Sequence, residues 1–173
     1  MLVEPVPELY EACRRERPGS RVFDRALVSP EHDGEMVRIT VGGLMSLVHG
    51  AQGSIEADRA HAMGGTRGGR DRTYEIEVQG RTLSSLLDEA EVGEIDLLVL
   101  DVEGYEPEAL AGLDLARHAP RFLLVEMLEP LRTRSRIEGL IGDRYELVDQ
   151  LSPYDHLFRR RPSPPTRGSS RSG

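Results

Sequence analysis

The chain has no lysine: all 22 of its basic residues are arginine. That excludes a lysine Schiff base and the lysine of a phosphate-binding P-loop. Cysteine is nearly absent too. The single Cys13 allows neither an internal disulfide nor a cysteine-based zinc site, and it reads as a small apolar residue packed on a helix. No apolar run approaches the length of a membrane span, and no basic region followed by an apolar stretch opens the sequence. The expectation is therefore a cytoplasmic protein without a signal peptide. Positive charge is in deficit, with a formal net charge of −8, which argues against nucleic acid or an anionic membrane as the main partner. What remains, 173 residues with 38% hydrophobic and 30% charged, is the composition of one soluble domain with a real core. The oligomeric state is not legible.

Strand-like and helix-like segments alternate. Pro7 to Glu16 predicts a helix, with Pro7 in the first turn, acids early, arginines late and Pro18-Gly19 as a stop. Arg21 to Leu27 and Met36 to Val41 predict strands. Gly50 to Arg72 shows no sustained period and reads as a mobile loop. Tyr74 to Val78 predicts a strand, and Thr82 caps a helix carrying Leu83, Leu86, Leu87 and Ala90. The runs IDLLVL (95–100), apolar but for Asp96, and FLLV (122–125) read as strands buried on both faces of a parallel sheet. Pro107 opens a further helix, and Ile137, Leu140 and Ile141 mark another. Tyr145 to Val148 and His156 to Phe158, around Ser152-Pro153, predict a closing hairpin. From residue 161 the chain reads as a basic, disordered tail. The fold class expected is α/β with a mainly parallel sheet and a C-terminal antiparallel hairpin.

Four presumed strands end in a carboxylate: Glu4, Asp24, Asp101 and Glu126. In open α/β sheets ligands bind beyond those ends, so four acids on one edge point to a site. Glu4 suits the hydroxyls of a ribose, or it is simply a solvated acid. Asp101 and Glu103, in LDVEGYE, leave three uses open: a general base for a hydroxyl, oxygen ligands for a hard cation together with Glu126, or caps for the helix that follows. The five histidines (His32, His49, His61, His118 and His156) show no ligand spacing and read mostly as surface residues, with His49 and His156 left open as catalytic assistants. No metal ligand set is assigned.

LLVLDVEGYEPEALAGL resembles the signature segment of FkbM-type methyltransferases. VEPVPELYEAC, RVFDRALVSPEHDGEMVRITV, GLMSLV, YEIEVQGRTLSSLLDE, FLLVEM and YELVDQLSPYDHLFRR resemble further segments, so the likeness spans about residues 2 to 160. It implies a Rossmann-like class I fold that uses S-adenosylmethionine to methylate hydroxyl groups of sugars or other small molecules. It also implies roles: Glu4 on the cofactor ribose, Asp24, Arg25 and Ala26 beside the adenine, and Asp101 and Glu103 as catalytic residues near the methyl group and acceptor.

The family pattern begins with a strand and a Gly-rich turn that do not precede Leu2-Val3-Glu4 here. Gly42-Gly43 and Gly64-Gly65 read as no substitute, since neither follows a buried strand and opens a helix. The expectation is a methyltransferase domain over residues 1–160 lacking its first strand-helix unit, followed by the tail at 161–173. Two alternatives stay in play: a non-catalytic paralogue serving as a binding or assembly partner, and a metal-dependent hydrolase built on the same acids.

Overall fold

The computed structural model describes residues 1–65, 73–127 and 130–162. Most of the expected tail, and residues 66–72 of the expected loop, lie outside them. The chain opens with strand β1 (Leu2–Val3), helix α1 (Pro7–Glu16) and strand β2 (Val22–Phe23). β1 and β2 pair in parallel, Leu2 facing Val22 and Val3 facing Phe23. The helix bounds match the sequence pattern, because Pro7 and the arginine-rich last turn act locally. Cys13 is only half-buried, since no residue of α1 is fully covered.

Next come β3 (Ala26–Leu27), β4 (Met36–Val41), β5 (Leu47–Val48), helix α2 (Ile55–Gly64) and β6 (Tyr74–Arg81). They form a four-stranded sheet in the order β3-β6-β4-β5. One core, built of Val6, Ala26, Ile39, Val41 and Val78, lies on it.

Helix α3 (Leu83–Glu89) follows, and Thr82 caps it by accepting from the Ser85 amide at 3.1 Å. The remaining elements are β7 (Leu97–Leu100), α4 (Glu106–Ala111), β8 (Phe122–Glu126), α5 (Pro130–Ile141), β9 (Tyr145–Gln150) and β10 (Asp155–Arg160). Their sheet runs β7-β8-β10-β9. Leu83, Leu87, Leu110, Leu123, Val125, Ile137 and Phe158 make the larger core between this sheet and its helices.

The sheets are mixed rather than mainly parallel. β1–β2, β3–β6 and β7–β8 are parallel pairs, whereas β4–β5, β4–β6, β8–β10 and β9–β10 are antiparallel. The expected C-terminal hairpin is present, but its second strand docks against β8 and so inserts antiparallel pairing into the sheet. The strand β7 is not buried on both faces, because Leu97 and Val99 are 50% and 56% exposed. Among the described residues β7 pairs only with β8, so it forms an edge.

The segment read as a loop contains α2. Ser54 caps the helix by accepting from the Ala57 amide, and buried Asp58 accepts from the amides of Gly50 (2.6 Å) and Gln52 (2.9 Å). Its C-terminal end docks backbone to backbone on the turn after β4. A Cβ on Gly42 would lie 2.7 Å from the Ala62 Cα, and one on Gly65 2.7 Å from the Met45 nitrogen. Only glycine allows that approach. Among the described residues no helix is long and apolar enough to cross a membrane.

Candidate functional site

The parallel pairing of β7 with β8 sets Leu100 opposite Val125, so Asp101 and Glu126 leave the sheet side by side. The chain then turns sharply after Asp101. Glu103 takes φ 56° and Gly104 φ 98°, both left-handed. A non-glycine residue in that region is held there against about 1 kcal/mol or more of strain. Two side chains hold it. Buried Glu106 accepts from the amides of Val102 (3.0 Å) and Gly104 (3.1 Å) through one oxygen. Gln52 Nε2 donates to the Glu103 carbonyl at 2.9 Å.

The turn gathers three carboxylates. Oxygens of Asp101, Glu103 and Glu126 lie within 4.8 Å of one another. Strand alternation does not bring Asp101 and Glu103 together, because β7 ends at Leu100. His61 of α2 reaches the same place, its Nε2 2.8 Å from Glu103 Oε2, with both side chains less than a fifth exposed.

The grouping shows in the titration of these acids. Burial pushes the Glu103 carboxyl up, the His61 hydrogen bond opposes that, and the Asp101 charge adds to it. Burial also raises Glu106, against the stabilising backbone amides. Glu126 moves furthest, to about 8, through burial first and then the charges of Asp101 and Glu103. The folded chain thus keeps a proton on Glu126 that the unfolded chain releases near pH 4.5. The associated stabilisation is fully present below that pH and is lost as pH rises through about 8. In buffer free of divalent cations, Glu126→Gln is therefore expected to melt higher than the native chain at pH 9, with the difference closing toward pH 5. Thermal melts across that range check it; parallel curves would contradict the sign.

A cavity of about 240 Å³ lies between β1, β3, β5 and the 101–103 turn. Glu4, Arg25, Ala26, Asp101 and Glu103 all line it, with Leu9, Ile39, Leu47 and Val48 as its apolar wall. Glu4 is half-buried; one carboxylate oxygen accepts from the Val6 amide at 2.8 Å, and burial raises its pKa against that bond. Asp24 stands apart: its exposed carboxylate pairs with the Arg25 guanidinium and does not line the cavity. Gly42-Gly43 follows a strand with a buried end, leads into a short 3-10 turn, and places Gly43 in the cavity wall. His49 bonds Thr40 Oγ1 at 3.0 Å, and His156 bonds the Tyr154 carbonyl at 2.8 Å; neither lines the cavity.

A second, polar cavity of about 180 Å³ lies across the 103–104 turn, lined by Gln52, Tyr105, Glu108, Thr133, Arg136 and the backbone of Gly50, Gly53 and Gly104. Sequence reasoning missed His61 and Glu106. His61 gives no signal, because the segment that carries it shows no helical period; Glu106 gives none either, because an acid in the first turn of a helix is common for the helix dipole alone.

The family model of the methyltransferase FkbM domain matches residues 1–152. No curated protein and no solved structure matches the chain.

Proposed function

The chain belongs to the FkbM methyltransferase family, and from that premise we propose that it transfers a methyl group from S-adenosylmethionine to a hydroxyl group of a small molecule or sugar. The observation that carries this reading is the single cavity shared by Glu4, Arg25, Ala26, Asp101 and Glu103.

The lining suits that cofactor's chemistry. Glu4 spends one oxygen on its own backbone turn, which fixes the carboxylate and leaves the other for a ribose hydroxyl. Leu9, Ile39, Leu47 and Val48 offer the apolar surface a purine ring buries. The acids at 101 and 103 favour a positively charged sulfonium beside them. When bound, S-adenosylmethionine supplies an electrophilic methyl group. Asp101 and Glu103 then orient the acceptor hydroxyl and take its proton as the new bond forms. His61 holds the Glu103 carboxylate through the 2.8 Å bond, which fixes one of its oxygens at the cavity wall. The polar cavity across the turn favours an acceptor rich in hydroxyl groups: Gln52, Tyr105 and Thr133 are neutral hydrogen-bonding groups, and Arg136 is engaged by Glu108 at 2.6 Å.

Calorimetry with S-adenosylhomocysteine tests the cofactor half of this reading. One-to-one binding is expected. Glu4→Gln keeps an oxygen for the Val6 amide but loses the charge, and should weaken binding about tenfold or more. Absence of binding, or native affinity in Glu4→Gln, would overturn it.

A further inference from the structure

The sheet β7-β8-β10-β9 has a second end, opposite the one that carries Asp101 and Glu126. There β8 and β9 begin and the antiparallel β10 finishes, with Arg159 facing Phe122 and Arg160 facing Tyr145. Two backbone bonds bring four arginines together at this end. The Arg160 amide donates to the Arg121 carbonyl at 2.9 Å, and the Arg161 amide donates to the Arg144 carbonyl at 2.7 Å. Arg121, Arg144, Arg160 and Arg161 line one open cleft of about 830 Å³, in which Asp143 is the one acid among the described residues. In a chain of net charge −8 this is a local reversal of sign.

A separate observation concerns what holds these side chains. Among the described residues Arg121, Arg144 and Arg160 form no ion pair; Glu146 pairs with Arg159 and Arg161 instead. Arg144 and Arg160 are held by neutral groups. One nitrogen of Arg144 donates to the Leu115 carbonyl at 2.7 Å, and one of Arg160 donates to the Ala119 carbonyl at 2.6 Å. Those bonds fix both guanidiniums, leave their charge unneutralised and leave most of the N–H donors of each fork uncommitted. Both charges also reach Tyr145, where they oppose the rise that burial gives its phenol. Arg121 lies over the Phe122 ring at 5.4 Å. Guanidiniums held in place without a counter-charge are arranged to receive an anion.

We infer that this cleft binds a small molecule carrying a diphosphate group. A guanidinium presents paired N–H donors whose spacing matches two phosphate oxygens. Several such forks around one cleft match several adjacent negative charges, which a diphosphate carries and a lone carboxylate does not. Leu115, Ala116, Ala119 and Pro162 give the cleft an apolar wall for the rest of the molecule. Its volume falls within the roughly 300–1,000 Å³ of pockets that take small ligands. All four arginines are exposed, so a ligand reaches them from solvent without opening the fold. The cleft lies at the far end of the sheet from the cavity shared by Glu4 and Asp101, and its occupancy is independent of methyl transfer.

Calorimetry of the full chain with inorganic pyrophosphate and with uridine diphosphate tests the site, at about 0.15 M salt so that diffuse attraction is screened. One saturable site is expected for each probe, and saturating S-adenosylhomocysteine should displace neither. Arg121→Gln and Arg160→Gln should each weaken binding about fivefold or more. Arg121 is exposed and its guanidinium makes no hydrogen bond or ion pair among the described residues, so Arg121→Gln should melt as the native chain does. Arg38→Gln removes an exposed arginine elsewhere and should leave binding unchanged. No saturable binding of either probe up to millimolar concentration, native affinity in Arg121→Gln, an equal loss in Arg38→Gln, or displacement by S-adenosylhomocysteine overturns the site. If neither probe binds but phosphatidylserine vesicles or a single-stranded oligonucleotide capture the chain, and Arg121→Gln abolishes the capture, the face belongs to a macromolecule and the small-molecule site is overturned.

Discussion

Gly42→Ala is expected to destabilise the fold by at least about 3 kcal/mol, or to lift α2 off the domain. The backbone at Gly42 has a negative φ of −139°, outside the left-handed region that favours glycine, so the effect is argued from the steric clash. The new methyl group would meet the carbonyl, carbonyl carbon and Cα of Ala62, the last at 2.7 Å. None of these is the end of a flexible side chain that could swing away. Urea denaturation gives the stability, and amide hydrogen exchange over residues 55–64 shows whether the helix stays docked. Gly19→Ala is the matched control: nothing lies within 4 Å of a Cβ there, and its stability should change by no more than about 1 kcal/mol. Unchanged stability together with unchanged protection of α2 in Gly42→Ala would remove the close approach as a determinant. If α2 lifts, His61 leaves Glu103 with it, and the exchange data will show the helix opening while the sheets stay protected.

Glu106→Ala is expected to destabilise by about 3 kcal/mol and to disorder the turn that presents Asp101 and Glu103. The carboxylate is the shared acceptor for the Val102 and Gly104 amides in a fully buried position. Removing it leaves two donors without partners and frees two consecutive residues from left-handed geometry. Glu106→Gln separates the two roles of the side chain. Its amide oxygen accepts the same two bonds without a buried charge, so the turn should persist. Chemical shifts of the Val102 and Gly104 amides in ¹⁵N-resolved spectra report the turn directly. They should move strongly in the alanine variant and little in the glutamine variant. Equal shifts in both would mean that charge, not acceptance, holds the segment.

Those two residues also explain what was legible in the sequence. α1, α3 and the C-terminal hairpin follow from signals carried by their own side chains: Pro7, the Thr82 cap, and the Ser152-Pro153 turn. α2 was not legible, because its docking depends on Gly42 and Gly65, and a contact made by absent side chains leaves no hydrophobic period. The order of the strands was equally hidden. An apolar run such as IDLLVL reads as doubly buried, yet exposure at Leu97 and Val99 depends on what lies alongside, which pattern does not encode. At the site, the acids at strand ends could be named from position alone. Their convergence could not, since it follows from the left-handed turn at 103–104, from Glu106 beneath it and from His61 on an unanticipated helix.

The left-handed backbone at Glu103 has a consequence for how this position can change over generations. Glycine would sit there with less strain, and asparagine with less than glutamate. Glu103→Gly therefore relieves the backbone while deleting a carboxylate of the group. Selection for a sturdier chain and selection for a working one favour different residues at this codon. A lineage released from the need for that carboxylate has a short downhill step available, and position 103 is where its drift would register early.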